Sequence, residues 1–281
     1  MHAQPAWGLS LNVFGRAFVP RQSPVKLRHP DAKDFTASSQ PRRQWDEQYN
    51  RPMRKHYPWL WFDADGTLFD YNRAEAAALK NTFRLLTLPF EDSYLDVYRE
   101  INHGLWQALE RQEITQAVLR YRRFELLMEA LQMSGSPEQM SSAYVEQLSI
   151  CSELMDGAYE VLQTLSEKSE IAIVTNGLQT VQRGRLENST IKGFIRELII
   201  SEEVDAAKPG APFFDAAFER CGHPQRGEVL IIGDSLTSDI RGGVDYGIDT
   251  CWYNPADENE PEALQITYEI KHLSDLLEIV D

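Results

Sequence analysis

Apolar and polar positions alternate in two different ways along this chain, and the switch between them marks out its architecture. Trp59-Leu60-Trp61-Phe62 is a run without charge that stops at Asp63. It reads as a strand buried on both faces. From Asp70 to about Asp156 the spacing becomes helical. Strong helix formers fill residues 73–80, and apolar positions three and four apart continue through Leu105, Leu109 and Val118–Leu131. Pro89 and Ser134-Gly135-Ser136-Pro137 divide this block into several helices. From Gly157 onward strands and helices alternate. The strands are residues 171–174, 198–200, 229–232, 250–253 and a last one around 266–270. Helices are expected near 159–166, 180–188, 212–220, 238–246 and 274–280.

Such alternation predicts an α/β fold: a doubly wound, mainly parallel sheet with right-handed crossovers. The helical block between the first two strands is too long for a simple crossover, so an inserted helical subdomain is expected. The predicted boundaries are an N-terminal extension at 1–57, a catalytic core at 58–70 and 157–281, and the helical insert at 71–156.

Charge separates the extension from the rest. The chain of 281 residues has a formal net charge of −15, yet residues 1–57 hold ten Lys/Arg against four Asp/Glu. That leaves 18 basic against 39 acidic residues downstream. The extension is rich in Pro, Gln, Ser and Arg and is expected to be disordered. It lacks the pattern of a secretory signal. An acid-free stretch up to His29 suggests an organelle-transit leader; a start at Met53, just before the first strand, is the favoured alternative. The acidity of the whole argues against a nucleic-acid polymer as partner. No apolar run is long enough to span a membrane. Cys151, Cys221 and Cys251 are odd in number and widely spaced, as in reduced thiols of a cytoplasmic protein.

Chemistry concentrates at the predicted strand ends, where ligands of such sheets bind. Asp63 and Asp65 are two residues apart and share a side of an extended chain, with Gly66 allowing a sharp turn. Two carboxylates this close repel unless a cation intervenes, and hard oxygen ligands suit Mg²⁺, with Mn²⁺ as the alternative. Thr175-Asn176-Gly177 ends the next strand, Lys208-Pro209 follows the third, and Gly233-Asp234-Ser235 with Asp239 follows the fourth. Taken singly these are a turn, a surface lysine and a helix cap. Together they equip one rim for phosphoryl transfer. Asp63 is the candidate nucleophile and Asp65 the general acid and base. Asp63, Asp234 and the Asp65 carbonyl are candidate metal ligands; Thr175, Asn176 and Lys208 are candidate phosphate contacts. Asp239 is expected to support Asp234 or a metal-bound water.

These four motifs, Asp63-Ala64-Asp65-Gly66-Thr67, Thr175-Asn176-Gly177, Lys208-Pro209 and Gly233-Asp234 with Asp239, resemble those of the haloacid dehalogenase superfamily of phosphohydrolases. The resemblance covers about residues 57–281 and implies a Rossmann-like core in which the insert is an alpha-helical cap. Residues 200–204 leading into 207–209, residues 250–254, Leu105-Trp106 and Glu113-Ile114-Thr115 are similar to the pyrimidine-nucleotide 5′-nucleotidase subgroup. That likeness implies a 5′-nucleotidase acting on pyrimidine (deoxy)nucleoside monophosphates through an aspartyl phosphate, as a cytoplasmic monomer or homodimer. Gly66 departs from the acidic residue expected there in the subgroup. The alternatives are a phosphatase for a sugar phosphate or phosphoglycolate, and a non-catalytic binding protein on the same fold. A metal-free dehalogenase is disfavoured, because it has no use for Asp65. Phe69, Tyr71 and Trp106 are candidates to contact a base.

Overall fold

The computed structural model describes residues 54–111, 113–259 and 264–281, with the backbone of Trp45–Asp46 paired antiparallel to Arg51–Pro52. The remainder of the expected disordered extension, and Met53, lie outside the described residues. Six strands form one sheet: β1 (Trp59–Phe62), β2 (Glu170–Thr175), β3 (Ile195–Ile200), β4 (Val229–Gly233), β5 (Asp249–Tyr253) and β6 (Tyr268–Ile270). Their spatial order is β3-β2-β1-β4-β5-β6, and every neighbouring pair is parallel. The order reverses between β1 and β4, so a crevice opens beyond the carboxyl ends of those two strands.

Burial on both faces explains why the strands carry uninterrupted apolar runs. Leu60, Phe62, Ile171, Ile173, Leu230 and Ile232 pack on one face, under α5 (Ala158–Leu165) and the short α10 (Leu276–Ile279). The intervening Trp61, Ala172, Val174, Val229 and Ile231 pack on the other, against Phe213, Phe214 and Ala217 of α8 (Ala211–Arg220). The period of two thus delivers successive side chains to two different cores. Each fully buried large apolar side chain contributes about 1.5–3 kcal/mol.

Between β1 and β2 lie four cap helices: α1 (Tyr71–Leu85), α2 (Ser93–Glu110), α3 (Gln116–Ala130) and α4 (Pro137–Ser149). Three begin where a side chain caps the first turn: Asp70 accepts from the Arg73 N–H, Thr115 from Val118 and Ser136 from Gln139. The cap has its own core, with the rings of Tyr98, Phe124 and Tyr144 5.2–5.7 Å apart. Leu178 and Val181, at the start of α6 (Gln179–Glu187), join that core. Two chain passages connect the cap to the sheet, and they bond to each other. The Asp70 N–H donates to the Glu153 carbonyl (3.0 Å) and the Met155 N–H to that of Leu68 (2.9 Å).

Several boundaries differ from the sequence reading. Tyr57, assigned to the extension, is fully buried and its hydroxyl donates to Asp249 Oδ2 at 2.7 Å. Lys55 bridges to Val280. The core therefore takes in residues 54–57. The third strand begins at Ile195 rather than Leu198, and the last at Tyr268 rather than Ile266. A four-residue helix, α7 (Ser201–Val204), follows β3 unanticipated. The helix expected at 238–246 is a π turn, Leu236–Ile240, that runs into α9 (Arg241–Tyr246). The one expected at 274–280 divides into a 3-10 turn, Leu273–Asp275, and α10. Among the described residues no helix is long and apolar enough to cross a membrane.

Candidate active site

A cleft of about 920 Å³ lies over the crevice between β1 and β4, walled by the cap on one side and the strand ends on the other. Asp63, Asp65, Thr175, Asn176, Lys208, Asp234 and Asp239 all line it. These seven come from four different strand ends.

The loop after β1 sets the geometry. Asp63 extends the strand, its N–H donating to the Ile232 carbonyl (2.8 Å). The chain then folds back: the Leu68 and Phe69 N–H groups both donate to the Ala64 carbonyl, and Gly66 N–H donates to that of Phe69. Gly66 has φ +88°, and a Cβ there would stand 2.6 Å from Asp234 Oδ2. Glycine is therefore demanded twice, by backbone conformation and by the close approach of Asp234.

Lys208 is the electrostatic centre. Its ammonium is buried and donates to Asp63 Oδ1 (2.6 Å), Asp239 Oδ1 (2.6 Å) and the Val174 carbonyl (2.5 Å). Three donors meet three acceptors, so none is wasted. Burial works against its charge, but Asp239 and Asp63 together hold the Lys208 ammonium above its ordinary range. Burial likewise pushes the Asp63 carboxyl well above the usual carboxylate range; Lys208 opposes this, and Asp239 and Asp234 add to it. Asp234, exposed to the cleft, is pushed up to about 7 by desolvation and by the neighbouring Asp239. Thr67 Oγ1 donates to Asp234 Oδ1 (3.3 Å), and Trp252 Nε1 to its backbone carbonyl (3.0 Å).

Three carboxylates thus share one ammonium, an excess of negative charge that a divalent cation would neutralise. Ligand oxygens of Asp63, Asp234 and Asp239 lie within 4.8 Å of one another. Asp239 has both oxygens engaged, one by Lys208 and one by the Ser235 N–H (3.2 Å). It anchors Lys208, a contact that adds to the support of Asp234 or a metal-bound water expected from the sequence. Asp63, Asp234 and Asp239 all line the cleft, and the donor set is all oxygen, as hard cations require.

The residues expected to contact phosphate are carried by β2 and the Lys208 segment. Thr175 is buried, and its Oγ1 accepts from the Gly177 N–H (3.2 Å), leaving the hydroxyl proton for another acceptor. The Asn176 side chain is tied to the Lys208 backbone through both of its polar atoms. Its Oδ1 accepts from the Lys208 N–H and its Nδ2 donates to the Lys208 carbonyl, both at 2.8 Å. Its backbone N–H and the second N–H of Nδ2 are what Asn176 can offer an anion.

Three partners were not visible in the motifs. Gln182 Nε2 donates to Asp65 Oδ2 at 2.6 Å, and Arg185 pairs with Asp65 Oδ1. Gln116, at the start of α3, reaches from the cap to Ser201 Oγ on α7 (2.8 Å). The three-residue spacing of Gln182 and Arg185, polar positions on the buried face of a helix, was the one available signal. Of the three aromatic candidates, Tyr71 and Trp106 line the cleft. Phe69 does not: it is buried in the sheet core beneath the Arg185 guanidinium.

Comparison with known proteins places this geometry. Residues 60–253 match the haloacid dehalogenase-like hydrolase family. Pyrimidine 5′-nucleotidase YjjG of Escherichia coli (strain K12) is 33% identical over 80% of this chain and 98% of its own. Pyrimidine 5′-nucleotidase PynA of Streptococcus pneumoniae (strain ATCC BAA-255 / R6) is 34% identical over 80% and 95%. A crystal structure of YfnB from Bacillus subtilis, bound to magnesium, superimposes with a TM-score of 0.75 at 35% identity, covering 79% of this chain and 97% of that one. On the strength of that match, which runs through both the sheet and its helical insert, the chain belongs to the haloacid dehalogenase-like hydrolases.

Proposed function

We propose that this phosphatase is a 5′-nucleotidase that removes phosphate from pyrimidine (deoxy)nucleoside monophosphates. One observation carries the chemistry: Lys208 is clamped between Asp63 and Asp239, with an Asp234 oxygen within 4.8 Å of theirs, in a cleft at the switch point of the sheet. Two relatives named as pyrimidine 5′-nucleotidases, matched over nearly their whole length, support the substrate class. Tyr71 and Trp106 supply aromatic surface for a base on the cap wall.

In the first half-reaction a carboxylate oxygen of Asp63 attacks phosphorus. The bond to the nucleoside oxygen breaks, and that oxygen takes a proton from Asp65. In the second, water attacks phosphorus and gives its proton to Asp65, and the P–O bond to Asp63 breaks to release phosphate. Lys208 orients Asp63 and offsets its charge. The Thr175 hydroxyl and the Asn176 N–H donate to phosphate oxygens. Asp63, Asp234 and the Asp65 carbonyl would hold Mg²⁺, or Mn²⁺, which supplies positive charge against the phosphoryl oxygens.

A phosphate-release panel of purified protein with Mg²⁺ tests the reading, using pyrimidine and purine monophosphates, sugar phosphates and phosphoglycolate. Pyrimidine monophosphates should lead in kcat/KM, and Asp63→Asn should abolish release. Preference for a sugar phosphate would keep the chemistry and replace the substrate; equal release by Asp63→Asn would discard both. Trp106→Ala should reduce kcat/KM for uridine monophosphate by roughly 10-fold and leave an aryl phosphate unchanged. Equal losses would remove Trp106 from base recognition.

A further inference from the structure

Asp65 is held by two side chains to which the chemistry above gives no part. Gln182 and Arg185 are three residues apart on α6 and both are buried. Gln182 Nε2 donates to Asp65 Oδ2 (2.6 Å), while Arg185 Nη1 pairs with Oδ1. Each carboxylate oxygen therefore has its own donor.

Arg185 is itself fixed on three sides. It has no exposed surface, its Nε donates to the Cys151 carbonyl at 2.9 Å, and its guanidinium lies 4.6 Å from the centre of the Phe69 ring. Cys151 lies just beyond the last cap helix and Phe69 on the outgoing passage, so Arg185 takes its position from both connections between cap and sheet. A buried guanidinium in so closed a setting is a rigid reference point.

We propose that Gln182 and Arg185 are positioning residues that aim Asp65 at the oxygen of the leaving group; this rests on Asp65 being the general acid and base. A free aspartate side chain rotates about two bonds. Two donors, one to each oxygen, fix the plane of the carboxyl. Each oxygen retains a second lone-pair direction, so Asp65 carries or accepts a proton while held.

The dependence of rate on the leaving group tests this. A nucleoside leaves poorly as an alkoxide and needs the proton of Asp65, whereas nitrophenolate leaves readily without one. kcat/KM reports the steps through release of the alcohol, so it isolates the half-reaction in which that proton is given. Arg185→Met keeps the stem over Phe69 and removes the fork; Gln182→Met keeps volume and removes the donor. Arg185→Met is expected to cut kcat/KM for uridine monophosphate about 10²-fold and that for p-nitrophenyl phosphate less than about 3-fold. Gln182→Met should show the same selectivity at about 10-fold, and carries the test if Arg185→Met does not fold. Arg185→Lys should recover part of the nucleotide activity.

Asp65→Asn is the benchmark. Selective loss there, with equal losses on both esters in the Arg185 and Gln182 variants, overturns the positioning role alone. Loss on both esters alike in Asp65→Asn removes Asp65 as leaving-group acid, and the positioning role falls with it.

Discussion

Replacing Lys208 with methionine probes the charge balance on which the site depends. The side chain is 1% exposed, and its partners Asp63 and Asp239 are 11% and 0% exposed. Removing the ammonium strands two buried carboxylates and leaves the Val174 carbonyl without its donor. Breaking a buried pair in this way costs about 3–5 kcal/mol. For a folded unit of this size, each kcal/mol shifts the melting temperature by about 2–4 °C, so Lys208→Met should melt about 6–20 °C below the parent in EDTA. Saturating Mg²⁺ should recover more stability in the variant than in the parent, because three carboxylates then face the cation without competition. At 100 times its dissociation constant a ligand contributes about 2.7 kcal/mol. Thermal melts followed by circular dichroism, with and without Mg²⁺, measure both effects. A variant melting within about 2 °C of the parent in EDTA would show that Lys208 does not balance these carboxylates. Lys208→Arg should not rescue the loss, since the closed set of three acceptors fits a point-like ammonium rather than a planar fork.

Gly66→Ala places a Cβ against Asp234 in a backbone conformation that costs about 1–3 kcal/mol for other residues. Weaker Mg²⁺ binding by calorimetry and roughly 10²-fold slower turnover are expected; unchanged cation affinity would contradict the proposed contact. Asn176→Asp keeps the acceptor for the Lys208 N–H but sets a carboxylate oxygen against the Lys208 carbonyl. It should therefore destabilise at least as much as Asn176→Ala, by about 1–3 kcal/mol, and a milder effect in denaturant melts would refute the clamp. Burial pushes the Cys221 thiol from 9.0 to about 12 and the Tyr98 hydroxyl from 10.0 to about 12. Both groups ionise earlier in the unfolded chain, so the stability they lend is complete below about pH 9 and is lost as pH rises toward 12, at about 1.4 kcal/mol per unit per group. Melts at pH 9 and 11 should show the decline, and Cys221→Ala should shallow it; a flat profile would refute it.

What could be read before folding, and what could not, follows from the range of the interactions. Val229–Ile232 and Ile171–Val174 announce themselves because a strand covered on both faces has no polar positions to dilute the signal. Asp63, Thr175 and Asp234 are legible because each ends or directly follows such a strand, and Lys208 because it follows the third strand before a proline; strand ends in a parallel sheet share one rim. The break between α2 and α3 was missed because Glu113-Ile114-Thr115 contains neither glycine nor proline; the Thr115 side chain caps the new helix instead. Gln182 and Arg185 lie 117 and 120 residues from Asp65, and only the fold brings them together. Asn176 was read as a phosphate donor because an amide beside a threonine suggests one. Its pairing with the Lys208 backbone depends on how two separate loops meet.

Close to the entrance of β1, the Lys55 N–H and carbonyl are bonded to Ile279 and Asp281. Residues far apart along the backbone are thus stitched side by side, on the amino-terminal edge of the sheet and away from the catalytic rim. A short Gly/Ser bridge joining residue 281 to residue 54 would span little distance, and new ends could be cut at the exposed turn of residues 166–168. Such a rewired chain should retain phosphatase activity, offering a scaffold in which reporter domains are attached at a point remote from both cap and cleft.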